Sequence, residues 1–79
     1  MHAVNEYLKS LRLKSGKSQI ELANKVGFSG GQFVSNWERG KCLPPPNKLR
    51  KIGKYLNAHM KTLIELYVEA KTEEIRGKI

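Results

Sequence analysis

Hydrophobic residues recur along this chain at intervals of three and four, the spacing that places side chains on one face of an α-helix. Val4, Leu8 and Leu11 form one such set, and stretches rich in Gly, Ser or Pro separate it from those that follow. The pattern predicts an all-α fold. The predicted helices cover about residues 3–14, 19–26, 30–39, 46–56 and 60–75.

Residues at the predicted helix ends agree with these boundaries. Ser18 followed by Glu21 is typical of a capping box at the start of helix 2, where Ile20 is expected to join the buried stripe. Gly27 stands where that helix can end in a left-handed residue, because glycine has no Cβ to clash. Ser29 is expected to cap helix 3.

Predicted helix 3 separates its side chains into two faces. Val34 and Trp37 point one way, whereas Gln32, Asn36 and Arg39 fall on the opposite side. Amide side chains can donate and accept side by side, which suits adenine, and arginine suits guanine or a phosphate. An apolar back with a polar front is what a helix in a DNA major groove needs. Helices 2 and 3 therefore predict a helix-turn-helix DNA-binding domain.

The turn before helix 3 leaves two questions open. Phe28 and Phe33 are expected to pack in the core, although Phe33 beside Gln32 could instead touch a thymine methyl group. The pair Gly30-Gly31 either relieves backbone strain or lets helix 3 approach DNA closely.

Charge favours a polyanionic partner. The chain has 79 residues, enough for a single domain, with 15 Lys and Arg against 7 Asp and Glu. No acidic residue lies between Glu38 and Glu65, while seven Lys and Arg fall in that interval. A one-signed block of this kind favours DNA through counterion release, and the alternative is a merely solubilising surface.

Other chemistry is poorly represented. Cys42 is the only cysteine, and His2 and His59 lack neighbours at ligand spacing, so neither a disulfide nor a metal or other cofactor is expected. No apolar run approaches a membrane span and no signal-peptide core is visible, so a cytoplasmic protein is expected. Without a nucleophile-base pair or a phosphate-binding loop, an enzyme is not expected.

The last predicted helix is apolar on two sides. One side carries Leu63, Tyr67 and Ala70, and a second strip carries Ile64 and Val68. A small monomer has one core, so the second strip predicts a homodimer interface formed by Ile64, Tyr67 and Val68. The alternative is scattered surface hydrophobic residues.

Several motifs together resemble the phage repressor/Cro-type (XRE-like) helix-turn-helix family over roughly residues 5–66. They are Gln19, Leu22-Ala23, Gly27, Val34-Ser35, Trp37-Glu38-Arg39-Gly40 and Pro44-Pro45-Pro46. The resemblance implies a lambda-repressor-like bundle of about five helices. Two departures are a turn one residue longer than usual between Gly27 and Val34, and Gly31 at a frequent base-reading position.

The resemblance also implies residue roles. Base readers would be Gln32, Asn36 and Arg39. Phosphate contacts would come from Gln19, Ser29, Lys41 and Lys48. Arg12, whose ordinary fate is a solvated charge, would form a partly buried ion pair with Glu38.

These observations predict a sequence-specific DNA-binding transcriptional regulator, with double-stranded DNA as partner. The expected form is a repressor that binds a palindromic operator as a homodimer. The alternative is an antitoxin-type or other protein-interaction module with autoregulatory DNA binding. Its protein partner would dock on Ile64 and Val68 and on the charged residues 71–79, of which Gly77 is expected to end regular structure.

Overall fold

A computed structural model describes residues 2–78, and the backbone of these residues forms helices joined by short loops. The helices are α1 (Ala3–Lys14), α2 (Gln19–Lys25), α3 (Gln32–Glu38), α4 (Pro46–Tyr55) and α5 (Met60–Lys78). The predicted all-α fold is confirmed. Within the described residues, no helix combines the length and the hydropathy of a membrane-spanning segment.

One hydrophobic core joins all five helices. α1 packs against α3 and α5, α2 packs against α3 and α4, and α4 also packs against α5. The buried apolar residues are Val4, Leu8, Leu22, Ala23, Val26, Val34, Trp37, Leu49, Ile52, Leu56, Leu63, Tyr67 and Ala70. The helical spacing of apolar residues therefore identified the inner faces of α1 and α5 correctly.

Ile20 is an exception, because its side chain is 57% exposed. At about 100° per residue, Ile20 lies roughly 160° around α2 from Leu22, which is buried. The expectation that Ile20 belongs to the buried stripe is wrong, since a seven-residue helix has only one narrow inner face.

The capping box at α2 is present. The backbone N–H of Glu21 donates to Ser18 Oγ at 3.0 Å, and the Ser18 N–H donates to Glu21 Oε1 at 2.8 Å. These contacts satisfy two of the N–H groups left free at a helix N-terminus and lower the pKa of the Glu21 carboxylate.

α3 begins two residues later than expected, and Ser29 does not cap it. The residue before α3 is Gly31, which makes no side-chain capping bond. Gly30 has φ +74°, a left-handed conformation that helical residues do not adopt, so the helix cannot extend back to Ser29.

α5 continues to Lys78, past the expected end near residue 75 and through Gly77. A glycine costs a helix only about 1 kcal/mol, which neighbouring turns can offset. Lys71 and Glu74 form a 3.5 Å ion pair along this last part of the helix.

Candidate nucleic-acid interface

The outer face of α3 carries a row of three hydrogen-bonded side chains. Gln32 Nε2 donates to Asn36 Oδ1 at 2.9 Å, and Arg39 Nη2 donates to the same oxygen at 3.1 Å. Val34 and Trp37 on the opposite face are buried. The structure thus brings the three predicted base-reading residues together on one surface, which we call the reading row.

The internal bonds of the reading row decide what it offers to a partner. Asn36 Oδ1 already accepts two donors, so Asn36 and Arg39 keep only donors, the Asn36 amide nitrogen and the remaining guanidinium N–H groups. The Gln32 amide uses one hydrogen in this row and keeps its Oε1 as an acceptor. The donors of Asn36 and Arg39 suit guanine O6 and N7 or a phosphate oxygen, whereas the Gln32 amide can still donate and accept, as the edge of adenine requires.

An ion pair behind α3 ties three helices together. Arg12 of α1 forms a bidentate pair with Glu38 of α3, with its Nε 2.5 Å from Oε2 and its Nη2 2.9 Å from Oε1. Arg12 Nη1 also donates to the Lys17 carbonyl at 2.8 Å. Gln19 of α2 donates from Nε2 to Glu38 Oε1 at 2.9 Å. Arg12 and Glu38 are both buried, so the contact implied by the resemblance is present as a structural pair.

The same contacts shift two pKa values. Burial of Glu38 acts to raise its pKa, but the hydrogen bonds from Arg12 and Gln19 and the nearby charges of Arg12 and Lys9 act the other way. The net result is a lowered pKa for Glu38. The hydrogen bond to Glu38 raises the pKa of Arg12. Both groups are therefore held in their charged forms.

The four predicted phosphate contacts lie in different settings. The half-buried Gln19 uses its amide nitrogen to hold Glu38, while Ser29 is exposed in the turn. Lys41 is exposed immediately after Gly40, whose φ of +75° turns the chain away from α3, and its N–H donates to the Asn36 carbonyl at 3.0 Å. Lys48 lies beside the turn, with its Nζ 5.9 Å from the Phe28 ring centroid.

Phe28 and Phe33 form a stacked pair. Their ring centroids are 4.7 Å apart at an interplanar angle of 27°, and Phe28 also meets Trp37 edge-on at 5.7 Å. Phe28 packs against the core as expected, but Phe33 is 49% exposed. The core role expected for Phe33 is wrong, because Phe33 lies at the edge of the buried face of α3, about 40° beyond Trp37 and about 100° from Val34.

Gly31 has a packing role that neither sequence-based alternative included. A Cβ at Gly31 would lie 3.3 Å from Gln19 Cβ and 3.4 Å from Ile20 Cγ1. The missing side chain therefore lets the start of α3 lie close against the start of α2. Gly30 has the left-handed backbone conformation of the turn, which a residue with a side chain adopts only with strain.

Sequence reasoning missed Asn5, which is buried in α1. Asn5 Nδ2 donates to the Trp37 carbonyl at 2.6 Å and to the Cys42 carbonyl at 3.4 Å. It thereby fastens α1 to the end of α3 and to the loop that presents Lys41. The available signal was its spacing, because Asn5 and Arg12 fall on the same face of α1.

Tyr67 does not belong to the surface strip of α5. It is 6% exposed, and its hydroxyl donates to the Pro44 carbonyl at 2.5 Å. Burial, together with the charge of Glu74, raises the pKa of the Tyr67 hydroxyl. The expected interface role of Tyr67 is wrong, since the side chain is used inside the subunit. Ile64 and Val68 are 43% and 56% exposed, and Ile75 continues their line.

A five-helix bundle whose second and third helices pack together, with polar side chains in a row on the outer face of the third, defines the helix-turn-helix class of DNA-binding proteins. A family model described as Helix-turn-helix matches residues 8–63, well over half of the chain. The chain belongs to this XRE/Cro/lambda-repressor-type family and is a DNA-binding transcriptional regulator. No curated protein and no solved structure matches the chain significantly.

Proposed function

We propose that this protein is a sequence-specific repressor, acting in the cytoplasm without enzymatic activity, that binds a palindromic operator as a homodimer. The observation that carries the proposal is the reading row of Gln32, Asn36 and Arg39 on the outer face of α3. A helix with this face fits the major groove, where base edges offer the hydrogen-bond partners that such side chains need.

Base discrimination would come from the reading row. Because Asn36 Oδ1 is occupied by Gln32 and Arg39, the donors left on Asn36 and Arg39 favour a guanine at the base pair that these two residues meet. Reading adenine with Asn36 would require its oxygen to give up at least one of its two bonds, from Gln32 or from the charged Arg39.

Affinity would come largely from phosphates. Lys41 follows α3, and Lys48 and Ser29 lie beside the turn that precedes it, so basic and polar groups occur at both ends of this helix. Gln19 would contribute by holding Glu38, and a second amide hydrogen of Gln19 remains for a phosphate oxygen.

Dimerisation would use the exposed stripe on α5, which consists of Ile64, Val68 and Ile75. These residues follow one another at intervals of four and seven and are all exposed. Such spacing forms one continuous apolar line along a helix, which a second copy of α5 can cover.

The proposal is tested by selecting bound sequences from a random pool of DNA duplexes and then measuring binding at several salt concentrations. An inverted repeat with half-sites about one helical turn apart, bound by two chains, is the expected result. Enrichment of no sequence, with affinity that depends on salt alone, would overturn it.

Two variants separate base reading from phosphate contact. Asn36→Ala is expected to lose about tenfold or more in affinity for the operator while keeping its affinity for random DNA. Lys41→Ala is expected to weaken both alike and to reduce the salt slope by about 0.9 per subunit. Equal losses on operator and random DNA for Asn36→Ala would remove Asn36 from the base-reading set.

A further inference from the structure

Phe33 is the one large apolar side chain of α3 that is not buried. Val34 and Trp37 are enclosed in the core, whereas about half of Phe33 remains exposed. A half-exposed aromatic ring on this helix offers an apolar surface that a partner's apolar group can cover.

The ring of Phe33 is held in place. It stacks on Phe28 with the centroids 4.7 Å apart, and Phe28 rests edge-on against the buried Trp37. A ring supported in this way loses little conformational entropy on binding, so it can act as a preformed apolar surface.

Its position is beside the reading row. Phe33 precedes Asn36 by three residues, so the ring lies on the flank of α3 next to the Asn36 side chain. Lys48 reaches over the other ring of the pair, which leaves the cluster next to a cation suited to a phosphate. A duplex that meets Gln32 and Asn36 would therefore place the neighbouring base pair against Phe33.

We propose that Phe33 is a specificity-determining residue that reads the C5 methyl group of a pyrimidine, thymine in the operator, next to the base read by Gln32 or Asn36. This methyl group is the apolar feature of the major groove. The proposal rests on the proposed function, since it requires α3 to lie in that groove. The same methyl group occurs in 5-methylcytosine, so the chemistry recognised is the methylated C5 position.

The test uses the full chain and the operator obtained by selection. Each thymine is replaced in turn by deoxyuridine, symmetrically in both half-sites, which removes only the methyl group. At one position we expect affinity to fall about fourfold per half-site, or about sixteenfold for both, as burial of one methyl group implies. A parallel series replaces each cytosine by 5-methylcytosine.

Phe33→Ala is expected to bind the thymine and the deoxyuridine operators equally. Leu13→Ala, which truncates a comparably exposed residue on α1, is the matched control and should keep the full methyl preference. Thermal unfolding of each variant checks the fold. If Phe33→Ala is unstable, Phe33→Gln removes the apolar ring at similar length and is expected to give the same result.

The results that would overturn the role of Phe33 differ from the result that would overturn the proposed function. A methyl preference that persists in the Phe33 variants, or the lack of any methyl preference in the native chain, overturns the reading role of Phe33 even if an operator exists. If replacing cytosine by 5-methylcytosine raises affinity while replacing thymine by deoxyuridine has no effect, Phe33 reads a C5 methyl group, and its natural source is 5-methylcytosine instead of thymine. Failure of the initial selection to enrich any sequence would overturn the proposed function itself.

Discussion

At the scale of single residues, the contact between Arg12 and Glu38 has the widest reach. It joins α1 to α3 through two hydrogen bonds, and Gln19 adds α2 through a third. The buried pair therefore sets the position of α3 relative to its two neighbours. Residues behind the reading row, and not only those in it, should govern how accurately the row is presented.

Removing the charge of Glu38 is expected to destabilise the fold strongly. In Glu38→Gln the guanidinium of Arg12 stays buried without its counter-charge, and we expect the free energy of unfolding to fall by about 3 kcal/mol. Urea denaturation measures the change. Glu21→Gln is the matched control, because Glu21 is exposed and glutamine can still complete a capping box. Equal effects of the two substitutions would contradict the structural importance of the pair.

The lowered pKa of Glu38 also predicts a dependence on pH. At a pH between the folded and the unfolded pKa of Glu38, the Glu38 carboxylate binds a proton more readily in the unfolded chain than in the folded chain. The stabilisation by Glu38 is therefore present above about pH 4.3, the ordinary pKa of a glutamate, and it is lost as the pH falls through the lower folded pKa. The groups facing the carboxylate are Arg12 and Lys9 from α1 and Gln19 from α2. Urea denaturation across pH 2–7 should show a steeper acid loss for the native chain than for Glu38→Gln. Parallel curves would contradict the assignment.

At the scale of helices, α4 and α5 meet at a glycine that the hydrophobic pattern did not identify. Gly53 is buried, and a Cβ there would lie 2.5 Å from Met60 Sδ and 2.8 Å from Leu63 Cδ2. A side chain at this position would therefore require the side chains of Met60 and Leu63 to move.

Gly53→Ala is expected to lower the free energy of unfolding by about 1–3 kcal/mol through overpacking, although alanine favours a helix intrinsically. Gly77→Ala is the control, because Gly77 lies in α5 with nothing near its missing side chain. It should raise stability by up to about 1 kcal/mol. Thermal unfolding followed by circular dichroism measures both changes. Stabilisation by both substitutions would show that the contact of α4 with α5 can relax.

At the scale of the whole molecule, the exposed stripe on α5 predicts self-association. Val68→Asp places a charge at its centre and is expected to give a monomer in sedimentation equilibrium at concentrations where the native chain is a dimer. Leu13→Asp adds the same charge at an equally exposed site on α1 and should remain dimeric.

A native chain that is monomeric throughout this range would contradict the homodimer. The stripe would then be available to a different protein, as in the antitoxin-type alternative, and a partner that loses binding to Val68→Asp would identify it. Either result assigns a use to a surface that the core of one subunit does not need.

Local physics determined much of this protein from its sequence. The period of the apolar residues marks the inner face of a helix, and a cap such as Ser18 with Glu21 depends on contacts within one turn, so both can be read without knowing the fold. The same period placed Gln32 and Asn36 on one face of α3.

Only the tertiary structure decided how far each face is covered. Ile20 and Phe33 are exposed because neither lies on the narrow inner face of a seven-residue helix. Tyr67 is buried, and its hydroxyl donates to the carbonyl of Pro44, which lies in a loop far away in the chain. The tight packing at Gly31 likewise depends on residues of another helix. The burial of these residues depends on the distances between segments that lie far apart in the chain. The spacing of apolar residues within one helix gives no information on those distances.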